Sequence, residues 1–209
     1  TGRTNERAQP LLELLDQQKI GYVTFNVSGE PTTTTAKAAV KLARKAKSNF
    51  VISIGGGSAL DTGKVVAAML TNRGELENYL EVVGAGKPLT RNTVPHIAIP
   101  TTAGTGAEVT RNAVLNVPEH HVKVSMRSPL MLPRLAVVDP ALTHSMPPSV
   151  TASTGLDALT HLMEVYVSNQ ANPLTDSICR EGLKRAARSL RRAFEDGSNQ
   201  IAREDMALA

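Results

Sequence analysis

The sequence predicts an α/β protein, in which a doubly wound parallel sheet is followed by the start of an all-helical domain. The apolar run at 50–54 has no polar face, which is typical of a parallel strand that is buried on both sides. Helical spacing over 58–70 and a second short strand at 96–99 complete a strand–helix–strand unit. No strand pattern remains beyond Pro147, so the last part of the chain is predicted to be helical.

The elements before the central strand alternate in the same way. Apolar spacing predicts a helix over 8–18 that stops near Gly21, and a β-rich stretch predicts a strand over 22–27. Helical spacing returns over 34–46. The basic residues of that helix are predicted to face outward, and they are Lys37, Lys41, Arg44 and Lys45.

After the second strand, the alternation of strands and helices is no longer predicted. The segments 113–116 and 122–126 have the pattern of a hairpin, and 135–138 has that of one more strand. These strands complete an α/β domain, which we place at 1–147, with its first strand incomplete.

The remaining residues, 148–209, are predicted to begin a helical domain with helices at 149–169 and 173–195 and a proline at the start of each. In the second helix an apolar stripe is predicted at Ile178, Leu183, Leu190 and Phe194. Six basic residues form the opposite, solvated face, and they are Arg180, Lys184, Arg185, Arg188, Arg191 and Arg192.

Composition excludes several classes of protein. Hydrophobic residues make up 41% and charged residues 20% of the 209, which indicates a folded globular chain. Aromatic residues are only 3%, too few for the stacking platforms of single-strand nucleic-acid binders. The single Cys179 excludes a disulfide-stapled module, and the net charge of +4 fits a small anionic ligand as well as a nucleic acid.

The chain has no long apolar run that predicts a membrane helix and no basic-then-apolar leader, so we expect a cytoplasmic protein without a membrane partner. The sequence begins with Thr1 instead of Met, and the helical pattern at 206–209 has no cap. Both ends therefore look cut.

The first chemical motif is Gly55-Gly56-Gly57-Ser58-Ala59-Leu60-Asp61, between the buried strand and its helix. Glycines let backbone N–H groups approach a phosphate, and a helix N-terminus adds partial positive charge. Ser58 and Asp61 also fit a helix cap, so a bare strand-to-helix turn is the alternative. Val65 excludes a P-loop, and Leu60 stands where the third glycine of GxGxxG belongs.

The second motif, Pro100-Thr101-Thr102-Ala103-Gly104-Thr105-Gly106-Ala107-Glu108-Val109-Thr110, also follows a strand end. In open α/β sheets, ligands bind outside the carboxyl ends of the strands. The two loops are therefore predicted to outline a dinucleotide cleft of a Rossmann-like domain.

The third motif is Gly155-Leu156-Asp157-Ala158-Leu159-Thr160-His161. Asp157 and His161 are four residues apart on a predicted helix and share one face, so together they can bind a divalent metal or form an ordinary surface pair. Apolar neighbours predict that this helix is largely buried, which favours the metal. These neighbours are Leu156, Leu159, Leu162 and Met163.

The three motifs, in this order and approximate spacing, resemble those of the metal-dependent, so-called iron-containing alcohol dehydrogenases of the dehydroquinate synthase-like fold. Val138-Asp139-Pro140 and Met146-Pro147-Pro148 are similar to connecting segments of that family. The resemblance covers the whole chain, although the family is longer at both ends. It implies reversible hydride transfer between an alcohol or carbonyl substrate and C4 of NAD or NADP, with Fe²⁺ or Zn²⁺ polarising the substrate oxygen.

The same resemblance implies roles for particular residues. Those expected to hold the pyrophosphate are Gly56, Gly57 and Ser58, supported by Asp61, and those on the nicotinamide side are Thr101, Thr102 and Thr105. Hairpin contacts to the cofactor are implied for Asn112 and Lys123, and metal binding and catalysis for Asp157 and His161. The other histidines match positions that do not bind the metal.

Gly2 and Arg3 stand where the family often has an acidic residue that holds the adenosine ribose, so NADP is favoured over NAD. Glycerol or glycerol phosphate dehydrogenases and maleylacetate reductases of the same fold are alternatives, and we expect a homo-oligomer. A non-catalytic module that binds nucleotides or nucleic acid through the basic helix is the alternative from another class.

Overall fold

The computed structural model describes all 209 residues, and they form two compact units. The α/β unit consists of Thr1–Pro100 and Ala107–Val137, and the helical unit consists of Thr101–Gly106 and Val138–Ala209. The prediction of a domain boundary at 147/148 remains a prediction.

The regular elements lie close to their predicted positions. In the α/β unit they are helix α1 (Gln9–Gln17), helix α2 (Thr33–Lys45), strand β1 (Val51–Gly55), helix α3 (Gly57–Thr71), strand β2 (His96–Pro100), strand β3 (Asn112–Val117), strand β4 (Val122–Arg127) and strand β5 (Leu135–Ala136). In the helical unit they are helix α4 (Pro148–Tyr166), helix α5 (Pro173–Glu195) and helix α6 (Gln200–Leu208).

The parallel sheet has the order β1–β2–β5. Val51 pairs with His96 and Gly55 with Pro100, so β1 and β2 end at the same level. The last strand is shorter than predicted, although the Val137 amide continues the pairing by donating to the Ala98 carbonyl at 2.8 Å. This sheet confirms the predicted α/β class.

The predicted strand at 22–27 is wrong, because this segment has no ladder partner. Its main chain bonds to a single residue, Thr1, which donates to Phe25 at 2.9 Å and accepts from Val27 at 3.0 Å. Gly2 in turn donates to the Ile54 carbonyl at 3.1 Å. The first two residues therefore lie between the extended segment and β1.

Strands β3 and β4 form a separate antiparallel hairpin, with Asn112 opposite Arg127 and Asn116 opposite Lys123. Its inner face packs against α2 and α3 in the main core. The buried members of that core are Ala36, Ala39, Val40, Ala43, Val65, Val66, Ala68, Met69, Leu76, Leu80, Ala113, Leu115, Val117, Val124, Met126 and Met131. Small aliphatic side chains and methionines thus fill the space that the few aromatic residues leave.

The helical unit packs α4 and α6 against α5. The predicted apolar stripe of α5 is wrong at two positions, because Ile178 is 61% and Phe194 is 43% exposed. The buried stripe consists of smaller residues, Cys179, Gly182, Ala186, Ser189 and Ala193. Helices that approach this closely leave no room for large side chains, so the larger residues point outward.

The basic face of α5 is only partly solvated. Arg185, Arg188 and Ser189 donate to the buried carboxylate of Asp205 on α6 at distances of 2.5 to 3.0 Å. The Arg188 hydrogen bonds hold the pKa of Asp205 well below its usual range. Among the helices of both units, none has the length and apolar content that crossing a bilayer requires.

Candidate functional site

The glycine turn that links β1 to α3 is fixed by its backbone. Gly55 has φ +154°, and a Cβ at this position would lie 2.7 Å from the Cβ of Ala59 and 3.2 Å from the amide nitrogen of Gly2. A side chain is therefore excluded by conformation and by space. Gly2, predicted to lie beside the adenosine ribose, is thereby placed next to the glycine turn.

The N-terminus of α3 is not capped by a side chain. Gly56 is the N-cap residue and Gly57 the first helical residue, so the alternative in which Ser58 caps the helix does not hold. Ser58 lies within the first turn instead, where amides have no acceptor within the helix. An uncapped N-terminus of a 15-residue helix leaves these amides and the helix dipole available to an anion.

Asp61 binds the hairpin and a buried lysine. Its Oδ2 accepts from the Val114 amide at 2.9 Å, and its Oδ1 lies 3.2 Å from Nζ of Lys64. Lys64 is 0% exposed and also donates to Oγ1 of Thr110 at 2.8 Å and to the Asn112 carbonyl at 2.7 Å. All three ammonium hydrogens therefore have acceptors.

Burial acts on both charges of this pair. Desolvation raises the pKa of Asp61, and the nearby ammonium of Lys64 opposes that rise. Desolvation also lowers the pKa of Lys64, against the attraction of the Asp61 carboxylate. Burial costs desolvation free energy for both charges, and the attraction between them offsets part of that cost.

Asn112 and Lys123, the predicted hairpin contacts, share the outer face but lie at opposite ends of the ladder. Lys123 is opposite Asn116, four residues from Asn112, which is about 13 Å along a strand. Asn112 is half-buried beside Lys64, whereas the exposed Lys123 forms an ion pair with Glu30. The structure does not bring the two predicted contacts together.

The threonine loop at 101–106 belongs to the helical unit, together with α4. Gly104 has φ +153°, and a Cβ there would lie 2.1 Å from the carbonyl oxygen of Thr154 on α4. Ala103 packs against the small apolar cluster that α5 and α6 form. The loop is thus anchored to the helix that carries the predicted metal ligands.

The predicted nicotinamide contacts in this loop differ in exposure. Thr101 is 0% exposed and its Oγ1 has no hydrogen-bond partner, whereas Thr102 and Thr105 are half-buried. A buried hydroxyl without a partner is costly, and a polar atom of a bound ligand would satisfy it. The chemistry of Thr101 therefore fits a dinucleotide.

Asp157 and His161 lie together on α4, with Nε2 of His161 3.7 Å from Oδ1 of Asp157. Both side chains are about half exposed, and so are Leu156 and Met163, so the prediction of a largely buried helix is wrong. Only one side of α4, at Ala158 and Leu162, faces the core.

Carboxylate and imidazole are donors that suit Fe²⁺ or Zn²⁺, so the pair fits two positions of such a site. No group of three or more His, Cys, Asp or Glu side chains in the chain is arranged to hold a metal. A catalytic metal site usually has three protein ligands, of which this pair would supply two.

Lys64 is the residue that the sequence-based site omits. Its signal is visible, because Asp61 and Lys64 are the only charged residues of α3 and stand three apart in an otherwise apolar helix. Such a helix buries its charges only if they are paired. His96 is buried as well, and its Nε2 lies 3.0 Å from Oγ of Ser53.

Comparison with known sequences agrees with these motifs. A sequence model of the iron-containing alcohol dehydrogenases matches residues 1–140, and a model of the C-terminal part of the Fe-containing alcohol dehydrogenase family matches residues 151–209. The long-chain-alcohol dehydrogenase 1 of Geobacillus thermodenitrificans is 43% identical over 186 residues, which are 89% of this chain and 46% of that protein.

Comparison with solved structures gives the same family. A 1,3-propanediol oxidoreductase has a TM-score of 0.90 and 36% identity, over 99% of this chain and 53% of that one. The sulfoacetaldehyde reductase of Bifidobacterium kashiwanohense, solved with NAD⁺, has a TM-score of 0.82 and 33% identity, over 95% and 54%. The chain spans about half the length of these relatives.

Proposed function

Because the chain belongs to the iron-containing alcohol dehydrogenase family, we propose that it carries the dinucleotide-binding residues and part of the metal site of an oxidoreductase. The reaction is the interconversion of an alcohol with its aldehyde or ketone. The observation that carries the proposal is the glycine turn. In it, parallel strand β1 is followed directly by Gly56 and Gly57, which form the uncapped N-terminus of α3.

The chain's own residues bind and orient the reactants. Amides of Gly57 and Ser58 receive the pyrophosphate, Thr101, Thr102 and Thr105 bind the nicotinamide half, and Asp157 and His161 hold the metal. The nicotinamide supplies the hydride acceptor and the divalent metal, Fe²⁺ or Zn²⁺, supplies the Lewis acid. The imidazole of His161 and the carboxylate of Asp157 would hold that ion at a fixed position on α4, where it would supply positive charge to the substrate oxygen.

We propose NADP as the preferred cofactor. Gly2 lies beside the glycine turn and is followed by the exposed Arg3, where an acid would repel a 2′-phosphate. The solved relative that contains NAD⁺ shows that the family also accepts the cofactor without this phosphate.

The substrate that the relatives favour is a terminal alcohol or aldehyde. By their names, those described above act on long-chain alcohols, 1,3-propanediol and sulfoacetaldehyde, which share a primary carbon at the reacting end. Glycerol, glycerol phosphate and maleylacetate are the alternative substrates within this fold.

Titration of NADPH and NADH fluorescence with the 209-residue protein tests the proposal. We expect both to bind, NADPH more tightly, and Gly57→Val to abolish binding because a branched Cβ occupies space that the pyrophosphate needs. Gly21→Val is the matched control, since a Cβ at Gly21 meets nothing within 4 Å.

Unchanged affinity in Gly57→Val overturns the phosphate-binding role of the turn. Equal or reversed affinities for NADPH and NADH overturn the cofactor preference. Binding of an oligonucleotide with a steep salt dependence, in place of either dinucleotide, supports the non-catalytic alternative.

A further inference from the structure

The pair Asp61–Lys64 connects the helix that opens with the glycine turn to the strand that carries Asn112. Lys64 has no solvent exposure and is the largest fully buried side chain of the protein. Two of its three hydrogen bonds reach across to residues 110 and 112, nearly fifty positions later in the chain. The family resemblance assigned no role to this lysine.

The pair binds the side of β3 that faces away from β4. Along a strand, the carbonyl of one residue and the amide two residues later point to the same side. Lys64 donates to the Asn112 carbonyl at 2.7 Å and Asp61 accepts from the Val114 amide at 2.9 Å. The two side chains therefore bind the groups that a neighbouring strand would otherwise bind. They also fix the position of β3 along the axis of α3.

This contact lies near the glycine turn. Asp61 follows Gly57 by four residues, which is about 6 Å along a helix, and helical side chains lean toward the N-terminus. Nζ of Lys64 is accordingly level with the carboxylate of Asp61, at 3.2 Å. Measured along the axis of α3, the contact with Asn112 therefore lies about one helical turn from Gly57.

Stability alone is a weak reason for such a pair. Two buried charges recover only part of their desolvation cost, and apolar residues of similar volume often stabilise a core equally well. In some proteins a buried polar or ionic group fixes one arrangement among several. Here the arrangement is the placement of the hairpin on α3.

We propose that Asp61 and Lys64 are positioning residues that hold Asn112 at a fixed place relative to the glycine turn, so that one dinucleotide engages both. This rests on the proposed function. ADP, which ends at the pyrophosphate, needs the turn but not the hairpin contact to the remaining half of the cofactor. Lys64 therefore contributes to the affinity for NADPH and not to that for ADP.

The experiment measures the dissociation constants of NADPH and ADP for the 209-residue protein and three variants, below their unfolding temperatures. Lys64→Met keeps the volume and removes the hydrogen bonds to Asp61, Thr110 and Asn112. We expect it to weaken the binding of NADPH about tenfold and to leave the binding of ADP unchanged. Thr110→Val removes one hydrogen-bond acceptor of Lys64, and it should also lower the affinity for NADPH. Arg44→Met is the control, because the hydrogen bond of Arg44 goes to the Met69 carbonyl on α3 at 2.6 Å and not to the hairpin.

Unchanged NADPH binding in Lys64→Met, or an equal loss of ADP and NADPH, overturns the positioning role. If Lys64→Met does not fold, the ratio of the two constants in Thr110→Val decides by the same criterion. A wild-type protein that binds neither ligand overturns the proposed function and the positioning role together. A wild-type protein that binds both, with variants that match it, overturns the positioning role alone.

Discussion

His96 is a buried histidine that has no part in the proposed chemistry. Only 3% of it is exposed, Nε2 bonds to Ser53, and Nδ1 has no partner. Burial, and secondly the positive charge of Lys64, lowers the pKa of His96 from 6.5 to about 4. The folded protein therefore holds the neutral imidazole where the unfolded chain is already protonated.

We predict that this difference makes stability depend on pH. Below pH 6.5 His96 is protonated in the unfolded chain, whereas in the folded protein it becomes protonated only near pH 4. The free energy of unfolding therefore has its full value above pH 6.5, and it falls by on the order of 3 kcal/mol as the pH drops to 4. Urea unfolding of the wild type and His96→Gln between these pH values measures it.

The variant should have a flatter pH profile than the wild type, and the exposed His120→Gln should not. Parallel profiles for all three proteins contradict the assignment of this pH dependence to His96.

Sequence reasoning works unevenly at the residue scale. Asp157 and His161 could be paired from their spacing, because a helix places residues four apart on one face. The hydrogen bond from Lys64 to Asn112 could not be predicted from the sequence, because it depends on where a strand 48 residues later packs. Exposure of Leu156 and Met163 is also a tertiary property that apolar character alone does not reveal.

Among the elements, the threonine loop owes its place to one glycine. A Cβ on Gly104 would lie 2.1 Å from the carbonyl oxygen of Thr154 and 2.7 Å from its carbonyl carbon, which is backbone that cannot turn aside. Gly106 has φ +58°, but a Cβ there meets nothing within 4 Å. Gly104 thus combines a steric contact with a positive φ of +153°, whereas Gly106 has a positive φ alone.

We predict that Gly104→Ala destabilises the helical unit by about 2–4 kcal/mol, because the loop must lift off α4. Gly106→Ala should cost about 1–2 kcal/mol, through its left-handed backbone alone. Urea unfolding of both variants provides the comparison. Equal losses would show that the approach of Gly104 to Thr154 is relaxed at little cost.

Elements with a strong period were predictable, and those that depend on a neighbour were not. The buried strand β1 and helix α3 agree with the sequence within two residues. The segment at 22–27 has β-rich composition, but a strand exists only where another pairs with it. On α5, close packing buried Gly182 and Ser189 in preference to Ile178, because contact distance decided which face turned inward.

For the whole molecule, the number of metal ligands limits the chemistry. A catalytic metal site usually has three protein ligands, and the proposed ligands Asp157 and His161 are only two. We predict that the 209-residue protein retains well under one equivalent of Fe²⁺ or Zn²⁺ and oxidises no alcohol above background, while it still binds the dinucleotide. Elemental analysis and a rate assay on the same sample measure both.

A longer protein that contains this chain and supplies further ligands should be active. In it, His161→Ala should lose metal and turnover together, and the exposed Thr160→Ala on the same helix should lose neither. An active, metal-free His161→Ala protein would exclude Lewis-acid catalysis by this site.

The contacts that surround the β3–β4 hairpin also bear on aggregation. Outer strand edges with unpaired amides and carbonyls recruit strands from other molecules. On β3 these groups are bonded to Lys64, Asp61 and Pro31, and on β4 the Ser125 carbonyl accepts from the Glu81 amide. Neither edge therefore offers a continuous template for edge-to-edge association.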